Sequence, residues 1–398
     1  MAVKNTGLPI MAVFAAVLLL ASCNRPVGGQ VTVTASGADA AAYRLIGGNW
    51  QPADDPEQFS FLTFGAYEVA VRCGDAVHMI AVTPDETLRP VLNCETKGSA
   101  GFSVNFDVQA VSGAVSVGFF YLNGISAKDA KSGTISVSNA LTGEQDLVLV
   151  AADSSKEPIA AMMVTKNVSD GATYTMTMSS SHKNNLLAGG SLADYSGSIP
   201  SGWTLNLAMV AAITPRGTVV PMKAFTGGGG SYKSLNFASY DLASVIAREK
   251  SKAPYKSLAR LIVGDGKALN FQADLPEVFD ATMTHNYPPG FSNLSYGCGD
   301  LVGFHLQANW GHDKLFSALV TTGLLNGSTG YRLPDLTGVQ GFAGVTPASG
   351  DRVKLTAEAL CSNKTIGELS SAGLNKKPFQ VRGLDLRIAG DVEEYVAP

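Results

Sequence analysis

Polar side chains that could bind a ligand line one face of a predicted strand. His305, Gln307 and Asn309 alternate with apolar residues, and His312 and Asp313 follow at the strand end. The apolar face consists of Val302, Phe304, Leu306, Ala308 and Trp310. The polar row could hydrogen-bond a sugar or a peptide, and the two residues after it could add a charge or a metal contact. The alternative is an ordinary solvent-facing strand, where His, Gln and Asn are common.

The sequence contains none of the familiar catalytic or cofactor-binding motifs. It has no phosphate-binding glycine loop, no His-Glu-x-x-His helix, no Gly-x-Ser-x-Gly turn and no calcium loop. The four glycines at 227–230 lack the lysine and the hydroxyl residue of a phosphate-binding loop. We therefore expect no catalytic residue, no cofactor and no metal. Because a catalytic triad can be assembled from scattered residues, an enzyme with a non-motif active site stays open as an alternative.

A segment typical of export precedes these residues. The run Leu8–Leu20 is apolar and free of charge, and it is followed by Ala21, Ser22 and Cys23. A permanent membrane-spanning helix needs about 20 apolar residues, so this shorter run indicates a cleaved signal peptide. Small residues leave room for a peptidase, and the thiol of Cys23 supplies a nucleophile that can take up lipid.

The order Leu20-Ala21-Ser22-Cys23 resembles the lipobox of bacterial lipoproteins. This resemblance implies a signal peptide over 1–22, a lipidated tether over 23–30, and a Cys23 that bears up to three acyl chains. Two or more chains hold a protein stably on a membrane without spanning it. Asn24 is compatible with sorting to the outer membrane of a two-membrane bacterium, with the body of the chain outside the cytoplasm. The alternative is an ordinary signal peptide followed by a chance cysteine.

Composition narrows the range of partners. Charged residues make up 16% of the 398 residues against a typical quarter, and hydrophobic residues make up 45%, so the chain is globular. The net charge of −4 comes from interspersed residues of both signs. No cluster of basic residues could hold a phosphate backbone, and we expect no nucleic acid partner.

Four further cysteines suit two disulfides in an oxidising compartment. Cys73 and Cys94 each lie in phase with the apolar residues of an alternating segment, as do Cys298 and Cys361. Phase and sequence separation together favour the local pairs Cys73–Cys94 and Cys298–Cys361. A zinc site is disfavoured, because no two cysteines are close in sequence.

Alternation with a period of two recurs through the chain and predicts half-buried strands. We divide the strands into β-sandwich domains at 31–97 and 98–180 and β-rich domains at 181–290 and 291–398. The third contains the one predicted helix, over about 240–251, where apolar residues recur at helical spacing. In the last domain we predict strands at Val302–Trp310, Leu315–Leu325, Gly338–Val345, Val353–Cys361 and Phe379–Ile388.

The predicted fold class is all-β, with tandem antiparallel β-sandwiches that resemble immunoglobulin-like or prealbumin-like domains. The Cys–Trp–Cys spacing of antibody domains is missing. The body is similar in organisation to uncharacterised extracytoplasmic lipoproteins. That likeness implies a non-enzymatic, lipid-anchored envelope protein that binds a protein or a polysaccharide through its β-domains. A structural envelope protein without a ligand is the second reading. An envelope hydrolase is the third, and a Ser–His pair meeting in a cleft would favour it.

Overall fold

A computed structural model describes residues 28–94, 100–250, 254–311, 314–371 and 380–398. Strands account for 53% of the residues and helices for 5%, which confirms the all-β class. Cys23, His312 and Asp313 lie outside the described ranges. Within those ranges, no helix has the length and apolar character needed to cross a bilayer.

Residues 28–94 form six strands that were largely visible in the alternation of the sequence. The strands are β1 (Gly29–Thr34), β2 (Ala40–Leu45), β3 (Gln51–Pro52), β4 (Gln58–Thr63), β5 (Tyr67–Cys73) and β6 (Ala76–Val82). β1 and β4 pair as a separate two-stranded sheet. The predicted strand that ends at Cys94 is instead an extended segment. It runs beside β1 through bonds such as Leu92 N–H to Thr34 C=O (2.8 Å).

A two-sheet sandwich occupies residues 100–177. Its strands are β7 (Ala100–Asp107), β8 (Ser116–Tyr121), β9 (Gly124–Lys128), β10 (Ser132–Ala140), β11 (Gly143–Ala152), β12 (Pro158–Val168) and β13 (Thr173–Thr177). One sheet has the order β10-β7-β13 and the other β12-β11-β8-β9. Phe102, Phe119 and Leu147 fill the space between them, so this sandwich has a core of its own.

Residues 180–292 contain two short 3₁₀ helices, Ser180–Asn185 and Ser196–Ser198, and nine strands. The strands are β14 (Leu186–Leu192), β15 (Trp203–Ile213), β16 (Val219–Ala224), β17 (Gly230–Leu235), β18 (Tyr240–Glu249), β19 (Ser257–Val263), β20 (Asn270–Phe271), β21 (Thr282–Met283) and β22 (Gly290–Ser292).

The described part of the remaining chain contains five strands and two short helices. These are β23 (Leu301–Trp310), β24 (Lys314–Thr321), α1 (Thr322–Leu325), β25 (Tyr331–Arg332), β26 (Arg352–Ser362), α2 (Ile366–Ser371) and β27 (Asp385–Val396). The strand predicted over Gly338–Val345 is wrong, because those residues form turns. Phe342 and Val345 are nevertheless buried within that turn region.

A twelve-stranded sheet is the centre of the molecule, with the order β16-β15-β18-β19-β27-β26-β23-β24-β6-β5-β2-β3. Its neighbouring strands are antiparallel except for β6 and β24, which are parallel. Strands from the predicted units 31–97, 181–290 and 291–398 all belong to this sheet. The boundaries placed between those units therefore do not separate sheets.

The helix predicted over about 240–251 is wrong, because these residues form β18 in the middle of the large sheet. β18 pairs with β15 on one side and β19 on the other. Leu242 and Ala243 are both buried, one on each face of the sheet. A strand that is buried on both faces loses its period-two alternation, and the remaining apolar spacing imitated a helix.

Both faces of the large sheet are covered by apolar layers. On one face, Phe304, Leu306 and Trp310 pack with Phe291 and Phe342 from the loops and short strands of residues 273–345. On the other face, residues of β1, β4 and α2 pack over β5, β24, β26 and β27. The side chain of His305 points to this second face, which is the half-buried side of β23.

Both predicted disulfides are confirmed. Cys73 is joined to Cys94 with a Cα–Cα distance of 5.3 Å, and Cys298 to Cys361 with 6.3 Å. Cys361 is fully buried at the end of β26. One bond fastens the Cys94 segment to the end of β5, and the other fastens the loop before β23 to β26.

Candidate functional site

Three adjacent strands place polar side chains together on one face of the large sheet. β23 lies between β26 and β24. His305 on β23 is directly opposite Glu358 on β26. Ser317 on β24 is directly opposite Gln307, two positions along β23 from His305. Residues that are opposite or diagonal on the same face of a sheet lie within reach of each other.

The three side chains form a continuous hydrogen-bonded chain. The Nδ1 atom of His305 is 2.8 Å from Oε2 of Glu358, and its Nε2 atom is 2.7 Å from Oγ of Ser317. An ionised carboxylate only accepts hydrogen bonds, so with a neutral ring Nδ1–H donates to Glu358. Nε2 then accepts the hydroxyl proton of Ser317. The nitrogen of the Gln307 side chain, 3.2 Å from Nε2, is a second donor to the same atom.

The polar residues predicted on one face of β23 differ in their exposure to solvent. His305 keeps 28% of its side chain exposed, Gln307 is half-buried and Asn309 is exposed. The predicted apolar partners are buried, except that Val302 packs toward the opposite face. A shift in register between Leu301 and Gly303 causes this change of side. The structure gives no placement for His312 and Asp313, which lie outside its described residues.

The hydrogen-bonded chain lines one wall of a cavity of about 120 Å³. The other walls are apolar, apart from Ser370 of α2. They are formed by Met79, Ile80, Val91, Leu92, Leu319, Leu360, Leu386 and Ile388. Sites for drug-sized molecules typically measure 300–1,000 Å³, while a 150 Å³ cavity holds benzene. The cavity at His305 is therefore of a size to take one side chain or a similarly small group.

The arrangement can polarise a hydroxyl group. His305 accepts the proton of Ser317, and Glu358 fixes the tautomer that allows this, which is the division of roles in a serine nucleophile site. A second requirement of acyl transfer is a pair of free donors for the developing oxyanion. Ser317 lies between β23 and β6 in the sheet, where neighbouring strands use the backbone N–H groups. The amide of Gln307 is the nearest side-chain donor at this site.

Sequence reasoning found His305 and Gln307 but missed Ser317 and Glu358. Ser317 is buried within the apolar strand β24, and a lone serine there gives no sign of a partner. Glu358 lies between Ala357 and Ala359, as an ordinary charged residue on the solvent side of an alternating strand would. Only the order of strands in the sheet brings the two residues to His305.

Metal binding finds no support in the side-chain geometry. Among the residues the structure describes, no group of three or more His, Cys, Asp or Glu side chains could hold a metal ion. The densest other polar cluster surrounds Asp241, which is fully buried on β18. Asp241 accepts hydrogen bonds from the hydroxyls of Ser234 (2.5 Å) and Tyr232 (2.9 Å) and from the N–H of Ala268 (2.7 Å).

Burial raises the pKa of Asp241 above its ordinary value of 3.8, although the hydrogen bonds from Ser234, Ala268 and Tyr232 act in the opposite direction. A carboxyl with a raised pKa holds its proton more tightly in the folded than in the unfolded state. Its contribution to stability is complete below the unfolded pKa and is lost as the pH rises through the folded pKa.

For Asp241→Asn we therefore expect a pH-dependent difference from the wild type. The free energy of unfolding of the wild type, measured relative to the variant in urea, should decrease between pH 4 and pH 7. The decrease should be about 1.4 kcal/mol for each unit of pKa difference between the two states. A difference that stays constant over this range would contradict the raised pKa.

Comparisons with known proteins add little to this site. No protein-family model matches the chain, and no curated protein matches it. Among solved structures, the chain is similar to the crystal structure of the chicken CNTN1 FN1-FN3 domains. The sequence identity is 11% and the TM-score 0.16, over 83% of this chain and 94% of that chain. A likeness at this TM-score indicates nothing about function.

Proposed function

We propose that this chain is an exported, lipid-anchored protein of the bacterial cell envelope that binds an envelope protein through the cavity at His305. The lipobox-like segment ending at Cys23 supports the anchor. The observation that carries the binding function is the cavity, in which the Ser317–His305–Glu358 chain meets an apolar wall. In a two-membrane bacterium, Asn24 favours the outer membrane as the site of anchoring.

A protein partner fits this cavity better than a polysaccharide. Small-molecule and side-chain pockets are mostly apolar, with a few placed polar groups that fix orientation. Among the residues that the structure describes, no Phe, Tyr or Trp lines the cavity, so it lacks the large aromatic ring on which a sugar commonly stacks. Its volume of about 120 Å³ is closer to one amino-acid side chain than to a chain of sugar rings.

The polar wall indicates which group enters. Glu358 bonds His305 through Oε2, and within the described residues Oε1 accepts no hydrogen bond. This free carboxylate oxygen would accept a hydrogen bond from a donor. We therefore expect the partner to insert a side chain with an apolar stem that ends in a hydrogen-bond donor.

The anchor is tested by the Cys23→Ala variant of the full chain. We expect this variant to accumulate as an unprocessed precursor or to be released from the membrane, because the thiol that accepts the lipid is missing. Cell fractionation and the mass of the mature N-terminus measure this outcome. Normal processing together with membrane fractionation like that of the wild type would contradict lipidation of Cys23.

The binding function is tested by photo-crosslinking in intact cells. A benzophenone amino acid replaces Val91 in the cavity wall, and the matched control carries it at exposed Ile125 in the separate sandwich. We expect one discrete cross-linked protein from position 91 and none of that size from position 125. Adding Glu358→Gln should reduce the yield by about tenfold, because a charge-assisted hydrogen bond is lost.

Two results would contradict the binding function. If position 91 gives no cross-link that depends on Glu358, the cavity does not bind a partner and a structural role becomes the better account. If the Glu358 variant loses its fold, its thermal unfolding will show this, and Leu319→Phe then serves as the variant that fills the cavity without removing a charge.

A second candidate function is acyl hydrolysis, which the 2.7 Å contact between Ser317 and His305 favours. Ser317 would attack an ester carbonyl while Nε2 of His305 takes the hydroxyl proton and passes it to the departing alcohol, and Glu358 would hold the ring. Water would then cleave the acyl–Ser317 ester and release the acid. Labelling by a fluorophosphonate probe separates the two candidates. Labelling that Ser317→Ala abolishes would establish the hydrolase, and its absence from a folded protein would exclude Ser317 as a nucleophile.

A further inference from the structure

Four large apolar side chains form an exposed patch at one end of residues 28–94. Leu45 is 41% exposed, Ile46 50%, and Leu62 and Phe64 each 68%. We name these four residues the N-terminal apolar patch. Single exposed apolar residues are normal on a protein surface, but a cluster commonly marks an interaction site.

The strand pairing brings the four residues to the same end. Leu45 ends β2 and is paired with Tyr67 at the start of β5. The N–H of Ile46 donates to the carbonyl of Ala66 at 3.1 Å. Phe64 lies two residues before Ala66, just after β4. Leu62 points outward from β4 in phase with Phe64, because side chains on one face of a strand are two positions apart.

The described chain begins against this patch. Gly29 at the start of β1 is paired with Thr63. A Cβ atom added to Gly28 would lie 2.2 Å from the Phe64 ring, so the backbone of Gly28 passes directly over that ring. Cys23 precedes Gly28 by five residues. An extended chain spans at most about 3.6 Å per residue, so a tether from Cys23 to Gly28 can be at most about 18 Å long.

We propose that the N-terminal apolar patch inserts into the surface of the membrane that holds the anchor. This inference rests on the proposed lipidation of Cys23, because acyl chains on that residue would keep the patch within about 18 Å of the bilayer. Apolar side chains in the headgroup region add to the binding that acyl chains provide. A tether this short also gives the patch a high effective concentration at the membrane. A few apolar side chains therefore suffice for the patch to stay inserted.

The consequence is a fixed orientation of the protein body relative to the bilayer. An acyl anchor on a tether alone leaves the body free to rotate, whereas a second contact at Phe64 and Leu62 holds that end of the body against the bilayer. The sandwich of residues 100–177 also has an exposed apolar residue, Ile125 (60%), but this residue belongs to β9 and not to the end of β1. Ile125 therefore serves as a matched control.

The test uses the full, processed chain in vesicles of phosphatidylethanolamine and phosphatidylglycerol that contain lipids brominated along the acyl chain. Bromine quenches nearby tryptophan fluorescence. Phe64→Trp and Ile125→Trp are compared with the wild type, which carries three tryptophans of its own. We expect the added emission of Phe64→Trp to fall by about half or more, and that of Ile125→Trp to stay unchanged.

Sedimentation of the vesicles distinguishes the possible failures. If the chain sediments with the vesicles but Phe64→Trp is not quenched, the anchor stands and the insertion is overturned. If the chain does not sediment, the anchor has failed and the insertion fails with it. If quenching at position 64 is absent and Leu62→Ser abolishes a dimer seen in solution, a second copy of this chain covers the patch instead.

Discussion

Replacement of Glu68 by alanine is expected to lower the free energy of unfolding by about 3 kcal/mol, because it leaves two half-buried partners without their acceptor. Glu68 lies on β5 and its side chain is 2% exposed. It pairs with Arg44 of β2 and accepts a hydrogen bond from the hydroxyl of Tyr331 at 2.5 Å. Burial first, and then the charge of Glu68, raise the pKa of Tyr331 well above its ordinary value, so this hydroxyl stays a donor.

Urea unfolding of Glu68→Ala measures this loss, and two variants calibrate it. Glu68→Gln keeps the shape and one acceptor oxygen, so its loss should be smaller. Asp129→Ala removes an ion pair with Lys156 in which both side chains are exposed to solvent. It should lower the free energy of unfolding by less than about 1 kcal/mol. Equal effects for Glu68→Ala and Asp129→Ala would show that residues 28–94 are not fastened to β25 through this cluster.

Removal of the Cys298–Cys361 disulfide is expected to cost about 4 kcal/mol of stability, the largest effect of any single bond described here. The two cysteines are 63 residues apart, and the loss of chain entropy in the unfolded state grows with the length of the closed loop. The Cys73–Cys94 bond closes 21 residues, so its removal should cost about 3 kcal/mol.

Paired substitutions to alanine avoid a leftover thiol, and unfolding in urea without reductant measures each difference from the wild type. A reducing agent provides the control, since it should destabilise the wild type but have a smaller effect on each double variant. A loss below about 1 kcal/mol for Cys298→Ala with Cys361→Ala would mean that the unfolded chain is already constrained in this region.

Period-two alternation was sufficient to predict most strands, because they have one buried and one polar face. The strand predicted over Val302–Trp310 differs from β23 by one residue at its start. The cysteine pairs followed from the same phase, since each thiol lies on an apolar side. The prediction failed at β18, which is buried on both faces and has no alternation to detect.

Only part of the candidate site could be predicted, because alternation gives the direction of a side chain but not its neighbours on other strands. The direction of the His305 side chain follows from the alternation of β23 alone. The approach of Ser317 and Glu358 depends on which strands flank β23, and the order of strands in a sheet is not encoded locally. The parallel pairing of β6 with β24 places Met79 and Ile80 beside the same cavity, across more than half of the sequence.

The position of β27 has a consequence for the order in which the large sheet is completed during synthesis. This strand lies between β19 and β26 and pairs with both. Gly390 of β27 is opposite Ser257 of β19, and Val396 of β27 is opposite Arg352 of β26. Until residues 385–396 have been synthesised, β19 and β26 are two open edges, and unpaired edges invite association with other chains. Synthesis delivers this strand after both neighbours, so the sheet closes late and its incomplete halves are exposed to association meanwhile. A chain cut before residue 385 would carry both edges permanently and would be prone to aggregation and proteolysis.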